Sequence, residues 1–182
     1  MTFLRQFISQ PNVIGAIAPS SVFLARTIVE DLALERAEAV LEYGPGTGVF
    51  TAGILRRVKP AAKFAAIELN PEFAATFKSK YPNVRLFQDT VANVRSICDL
   101  TDMHSVDCIV SGLPWATFSE SLQVKCLDEM MRVLKPGGQF VTFAYVHGMA
   151  LARARRFANL LPNYFTSVSK SPMVWLNVPP AF

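Results

Sequence analysis

At 182 residues the chain is long enough to bury a proper core, and a single domain is the expectation. Hydrophobic residues make up 51% and charged residues 18%, with a mean hydropathy of +0.28, which excludes a disordered chain. The formal charge of +4 and pI near 9.1 favour a polyanionic partner, either an anionic membrane surface or nucleic acid; general basicity is the plain alternative.

In chain order, Phe3, Leu4, Phe7 and Ile8 pair at i, i+4 spacing and predict a short amphipathic helix that Pro11 stops. Arg5, Gln6 and Ser9 lie off that face. So short a helix needs a surface to fold against, either the protein's own core or a lipid interface. Ile14-Gly15-Ala16-Ile17-Ala18-Pro19-Ser20-Ser21 reads as a loop, with Ser20 or Ser21 as N-cap of a helix from Val22 to Leu32. Val22, Leu24, Ala25, Ile28, Val29 and Leu32 are its core candidates, and Arg26 pairs with Glu30 on the wet side.

Val40 and Leu41 then read as the end of a buried strand, followed by Glu42-Tyr43-Gly44-Pro45-Gly46-Thr47-Gly48 and a helix through Leu55. A strand, a glycine turn and a helix make a nucleotide site at the carboxyl edge of an open α/β sheet; a plain surface turn is the alternative. Lys63 to Ile67 is a second strand, and it ends in Glu68. An acid about 20 residues after the glycine turn is the ribose-binding position of nucleotide-binding βαβ units. Pro71 to Lys80 reads as a helix, and Val84 to Phe87 as a third strand that ends at Gln88-Asp89-Thr90. Asp89 is placed to bind a ligand, to N-cap the helix that begins at Val91, or both.

Val106 to Val110 is the fourth strand and runs into Ser111-Gly112-Leu113-Pro114-Trp115. Ser119 to Leu134 reads as a helix, Lys135 to Gly138 as a turn, Gln139 to Tyr145 as the fifth strand and Met149 to Leu160 as a basic helix. Phe165 to Lys170 and Met173 to Val178 fit an antiparallel pair, so the sheet is expected to be mostly parallel with one antiparallel edge. Cys98, Cys108 and Cys126 lack C-x-x-C spacing and read as reduced core thiols. His104 and His147 are too isolated for a metal site. No segment reads as a signal peptide, a membrane span or a repeat.

Glu42 to Gly48 departs from the dinucleotide pattern, because Val49 stands at the place of its last glycine. It resembles instead motif I of the S-adenosylmethionine (SAM)-dependent methyltransferases. The resemblance implies SAM as cofactor, S-adenosylhomocysteine as product and no metal. It puts Glu42 near the methionine amino group, the glycine backbone along the methionine and ribose, and Asp89 at the exocyclic amine of adenine. Tyr43, Gly44, Gly46, Thr47, Gly48, Glu68, Leu69, Thr90 and Ser111 complete the cofactor-binding candidates. Ser111 to Trp115 occupies the fourth-strand place where amino-methylating enzymes carry an N/D-P-P-Y/F/W motif. Trp115, Ser111, Leu113 and Pro114 are thus the acceptor-site candidates. Losing the Asn or Asp weakens the case for a planar base, and a Trp face suits an alkylammonium group; ordinary aromatic packing is the alternative for Trp115. No clear general base is evident, and Tyr145 is the candidate.

Together with Gly15 to Ser21 and Val178-Pro179-Pro180-Ala181, these motifs look like the bacterial phospholipid N-methyltransferases, which methylate phosphatidylethanolamine towards phosphatidylcholine. They also resemble the ribosomal RNA adenine dimethyltransferases. The implied fold is a Rossmann-like α/β class I methyltransferase. It has a mostly parallel seven-stranded sheet, helices on both faces and an antiparallel edge hairpin. Residues 1–182 would form one methyltransferase domain, with 1–35 a helical membrane- or substrate-binding segment. Phe3, Leu4, Phe7, Ile8, Ile17, Pro19, Ser20 and Ser21 would meet lipid, and Arg5, Arg153, Arg155 and Arg156 its phosphates. The expected partners are a phospholipid substrate and an anionic membrane surface, bound reversibly from the cytoplasm at the inner face of the cytoplasmic membrane. No stable nucleic acid partner is expected. The mechanism implied is direct, in-line methyl transfer to the ethanolamine nitrogen. N-methylation of RNA adenine is the alternative activity, and a non-enzymatic SAM-fold or membrane-binding module the non-catalytic one.

Overall fold

The computed structural model describes residues 21–177 and 179–182. Its two central strands, β1 (Ala39–Tyr43) and β4 (Val106–Ser111), are buried at every residue. That is the pattern of strands covered on both faces. With β2 (Lys63–Ile67), β3 (Arg85–Phe87) and β5 (Leu134–Thr142) they form one parallel sheet in the order β3-β2-β1-β4-β5. The chain steps outward from β1 to β3, then crosses back to place β4 on the other side of β1. The carboxyl ends of β1 and β4 therefore flank a topological switch point, the place where open α/β sheets bind ligands.

Among the described residues six α-helices cover the sheet: α1 (Val22–Glu30), α2 (Val49–Leu55), α3 (Pro71–Lys80), α4 (Val94–Thr101), α5 (Glu120–Met131) and α6 (Ala152–Leu160). Successive strand residues point to opposite faces, so the strands feed two separate cores. Val40, Cys108 and Val110 meet Leu24, Ile28 and Val29 of α1 and Phe50 and Ile54 of α2. Leu41, Tyr43 and Ile109 meet Ile97 and Cys98 of α4, Leu127 and Met130 of α5 and Phe157 of α6. Ser21 caps α1 as expected, its hydroxyl accepting the Leu24 amide at 3.1 Å. All three cysteines are buried and unbridged.

The sheet has five strands among the described residues, where seven were expected. Phe165 to Lys170 forms no strand, and the Phe165 ring stacks on Phe140 instead, centroids 5.7 Å apart. Met173 to Asn177 forms no strand either, beyond a bridge at Val174, and the last residues take the antiparallel edge beyond β5 instead: Ala144 and Phe182 exchange backbone hydrogen bonds of 2.9 and 3.1 Å. Antiparallel bridges join Ala181 to both Tyr145 and Val174. Two boundaries also move. Helix α5 stops at Met131, because Leu134 already pairs with Val106 in the sheet. The expected turn at Lys135 to Gly138 is an irregularity within β5, where Gly137 adopts a φ of +76°. Among the described residues no helix is long and apolar enough to cross a membrane.

Candidate active site

The glycine turn after β1 is held on three sides. The Gly44 amide donates to Ile67 O at 2.8 Å, tying it to the end of β2. On the β4 side, the Gly112 amide donates to Tyr43 O at 2.7 Å, and a Cβ on Gly112 would lie 2.5 Å from Gly44 O. From α3, the Tyr81 hydroxyl donates to Gly48 O at 2.9 Å and Lys80 Nζ reaches Thr47 O at 3.2 Å. Gly48 has a φ of +78°, and a Cβ there would meet the Tyr81 ring at 2.2 Å. A Cβ on Gly46, by contrast, meets nothing within 4 Å among the described residues.

Three acids follow along the same carboxyl edge. Glu42, the fourth residue of β1, is fully buried. Its Oε2 accepts the Thr51 hydroxyl at 2.6 Å, while Oε1 has no hydrogen-bond partner among the described residues. Burial pushes its pKa up to about 8. Glu68 lies just past β2 and ties two backbone segments together: Oε2 accepts the Gly46 amide at 3.1 Å and Oε1 the Asn70 amide at 2.9 Å. Burial raises its pKa as well. Asp89, half-buried beyond β3, accepts the Thr90 amide at 2.7 Å and Asn93 Nδ2 at 3.0 Å through Oδ1. The N-cap of the 3₁₀ turn that begins at Val91 is Thr90, whose hydroxyl accepts the Ala92 amide, so Asp89 does not have that role. Leu69 is half-buried beside Glu68. The Tyr43 side chain is buried in the core with no hydrogen-bond partner for its phenol among the described residues, so its backbone is what lies at the site.

The Ser111–Trp115 loop corrects one expectation. Trp115 is only 3% exposed. One face stacks on Phe157 of α6, with centroids 4.5 Å apart and planes at 13°, and Phe118 and Phe140 lie against it. Its Nε1 donates to Ser111 Oγ at 3.0 Å, which also accepts the Leu113 amide at 3.3 Å. The ring is thus a core anchor, not a free face for an amine. The rim is formed by Gly112, Leu113 and Pro114, which are half-buried, and Leu113 lies over Gly44. Burial also raises the Tyr145 pKa, so that phenol keeps its proton near neutral pH.

Arg153, Arg155 and Arg156 are exposed on α6. Arg153 donates to Thr117 O at 3.3 Å and Arg156 pairs with Glu120. The expected contacts at Phe3, Leu4, Arg5, Phe7, Ile8, Ile17, Pro19 and Ser20 lie outside the described residues. Thr51 and Tyr81 escaped sequence reading. A Thr in the first turns after a glycine loop is a local signal, but nothing near Tyr81 in the chain points back to Gly48. Among the described residues no group of His, Cys, Asp and Glu could hold a metal ion.

Comparison with known proteins agrees with this geometry. A family model described as a methyltransferase domain matches residues 40–138. An ornithine lipid N-methyltransferase from Singulisphaera acidiphila is 33% identical over 141 residues, covering 76% of this chain and 73% of the relative. A ribosomal RNA small subunit methyltransferase A from Hydrogenobaculum is 24% identical over 166 residues, covering 87% and 59%. The chain spans about half the length of the demethylmenaquinone methyltransferases that it also matches. Among solved structures, a SAM-dependent O-methyltransferase from Thermotoga maritima superposes with a TM-score of 0.56 at 19% identity, over 74% of this chain and 48% of that one. With the match extending from Val40 in β1 to Gly138 in β5, this chain belongs to the class I SAM-dependent methyltransferases.

Proposed function

We propose that the protein N-methylates phosphatidylethanolamine and its mono- and dimethyl forms, towards phosphatidylcholine, at a membrane surface. Leu113 and Pro114 carry this reading. The rim they form offers no amide or carboxylate side chain to the edge of a planar base, yet suits the alkyl portion of an aminolipid head group. The ornithine lipid N-methyltransferase relative supports a lipid amine as acceptor.

The residues present fit SAM. Glu42 Oε1 is a buried acceptor with no partner among the described residues, which suits an ammonium donor. Gly46 opens onto space that no described residue fills, which leaves its backbone accessible to a ligand. Glu68 and Asp89 are carboxylates placed at successive strand ends, suited to ribose hydroxyls and an exocyclic amine. SAM supplies an electrophilic methyl group. The chain's part is to position the acceptor and keep water away from it.

Among the described residues no base emerges at the rim: Ser111 Oγ accepts from the Leu113 amide and from Trp115 Nε1, and burial raises the Tyr145 pKa so that it holds its proton. An amine of pKa about 10 arrives protonated, and its transfer out of water beside Leu113 and Pro114 favours the neutral, nucleophilic form. The test is methyl transfer from radiolabelled SAM to vesicles of phosphatidylethanolamine, with ornithine lipid and unmodified ribosomal RNA in parallel. Label in phosphatidylethanolamine is the expected result. Label in RNA alone would overturn the reading.

A further inference from the structure

We propose that the turn at Trp175-Leu176, with Phe23 of α1 beside it, is the surface by which this protein docks on an anionic lipid bilayer. The proposal rests on the lipid-methylating reading above and names the partner surface of that site. Trp175 is 72% exposed, Leu176 66% and Phe23 56%, on a chain that buries its other tryptophan almost completely. Exposed large apolar side chains gathered in one place mark an interaction surface.

The turn is built, not frayed. Val174 and Ala181 are joined by a bridge, and Ala181 bridges in turn to Tyr145 beyond β5. Asn177 is buried and closes the loop: its Nδ2 donates to Pro179 O at 2.7 Å, and its Oδ1 accepts the Ser21 amide at 2.8 Å. That last bond brings the N-cap of α1, two residues before Phe23, to the Trp175 turn. Thr142 at the end of β5 pairs with Ser111 at the end of β4, so the turn lies at the same carboxyl edge as the Leu113–Pro114 rim. Leu151, 53% exposed at the start of α6, follows from that edge.

Charge selects the partner. From Met130 to Phe182 the chain carries six Lys and Arg and no Asp or Glu. Arg153, Arg155 and Lys170 of that stretch are exposed, and Lys170 Nζ sits 5.1 Å from the Phe182 ring at the base of the turn. An exposed apolar turn in a carboxyl-terminal stretch that is basic and holds no acid of its own matches a bilayer whose head groups are negative and whose interior is apolar. Tryptophan is also the residue most at home at that boundary. Docked by this turn, the carboxyl edge would face the head groups that carry the reacting nitrogen.

Tryptophan emission of the full chain reads the contact directly, since Trp175 is exposed and Trp115 is not. With vesicles of phosphatidylglycerol and phosphatidylethanolamine, Trp175 emission should shift to the blue and be quenched by brominated acyl chains. Trp175→Ala with Leu176→Ser should lower vesicle sedimentation about tenfold or more. Unchanged SAM affinity by calorimetry would show that the variant folds. No quenching, or equal sedimentation of variant and wild type, would overturn the proposal. So would protection of Trp175 from iodide before any lipid is added, which would mean that the chain or another copy already covers it. Lipid methylation in detergent micelles separates the two readings. Labelled lipid without Trp175 quenching sinks only the docking surface, and quenching without labelled lipid sinks only the proposed reaction.

Discussion

Glu42 sits near the end of β1 with no solvent around it, and that burial sets its charge. The carboxyl titrates near 4.5 in water and near 8 in the folded protein. Between those values the folded state binds one proton more than the unfolded chain, so its stability falls as pH rises. The contribution is fully present below about pH 4.5, declines across the window and levels off above about 8. Glu68, raised in the same direction, adds to the decline. Without added SAM, the melting temperature should drop between pH 5 and 8, on the order of 5 °C. Glu42→Gln keeps an oxygen for the Thr51 hydroxyl and removes the titration, so its melting temperature should vary less over that range. A slope equal to the wild type's would assign the titration to another group. Scanning calorimetry at stepped pH makes the measurement.

At the scale of elements, the glycine turn separates two demands that its sequence merges. Gly48 is needed by the protein itself: its φ is left-handed and its Cα faces the Tyr81 ring. Gly46 shares the left-handed φ but has no neighbour for a side chain to strike. Gly48→Ala should therefore cost stability beyond the roughly 1–2 kcal/mol of an unfavourable φ, because the Tyr81 ring must also move. Gly46→Ala should cost about 1–2 kcal/mol and weaken SAM binding more than tenfold. Urea unfolding beside calorimetric titration of SAM would distinguish them; equal profiles for the two variants would refute this division. The contact between β4 and α6 makes a second prediction. Trp115 fills the space between them, so Trp115→Ala should lower stability by about 3–5 kcal/mol. Trp115→Phe keeps the stack on Phe157 and should cost less. Full stability in the alanine variant, read by urea unfolding, would return Trp115 to the role of an exposed acceptor platform.

Across the whole molecule, three strand ends, one glycine turn and the Leu113–Pro114 rim gather at one edge with no base among the rim side chains. If the proposed amine acceptor is right, its deprotonated fraction limits the reaction. Methyl transfer at saturating SAM should rise with pH from about 7 towards 9, following an acceptor of pKa near 10 lowered by desolvation. A rate flat across that range would indicate a group that takes the proton, or a step other than chemistry that limits turnover.

The parallel sheet was legible in the chain because its strands are short apolar runs punctuated by glycine, proline and acids, and such punctuation is local. The positions of Glu42, Glu68 and Asp89 follow from the same local grammar: an acid at a strand's carboxyl end stays at that edge wherever the strand is placed. Long-range packing was not legible. Whether Trp115 faces solvent depends on Phe157, 42 residues later, and α6 reads in the sequence only as a basic helix. Tyr81 reaches Gly48 only because α3 returns along the sheet to place its last turn over the glycine loop. The missing edge hairpin has a similar cause: Phe165 to Lys170 has strand-like residues, but residues 180–182 take the backbone hydrogen bonds beyond β5. Sequence alone thus determined which chemistry lies at the sheet edge, since that depends on residue type and strand order. Tertiary structure decided which aromatic rings are buried and which are left exposed, since that depends on partners far away in the chain.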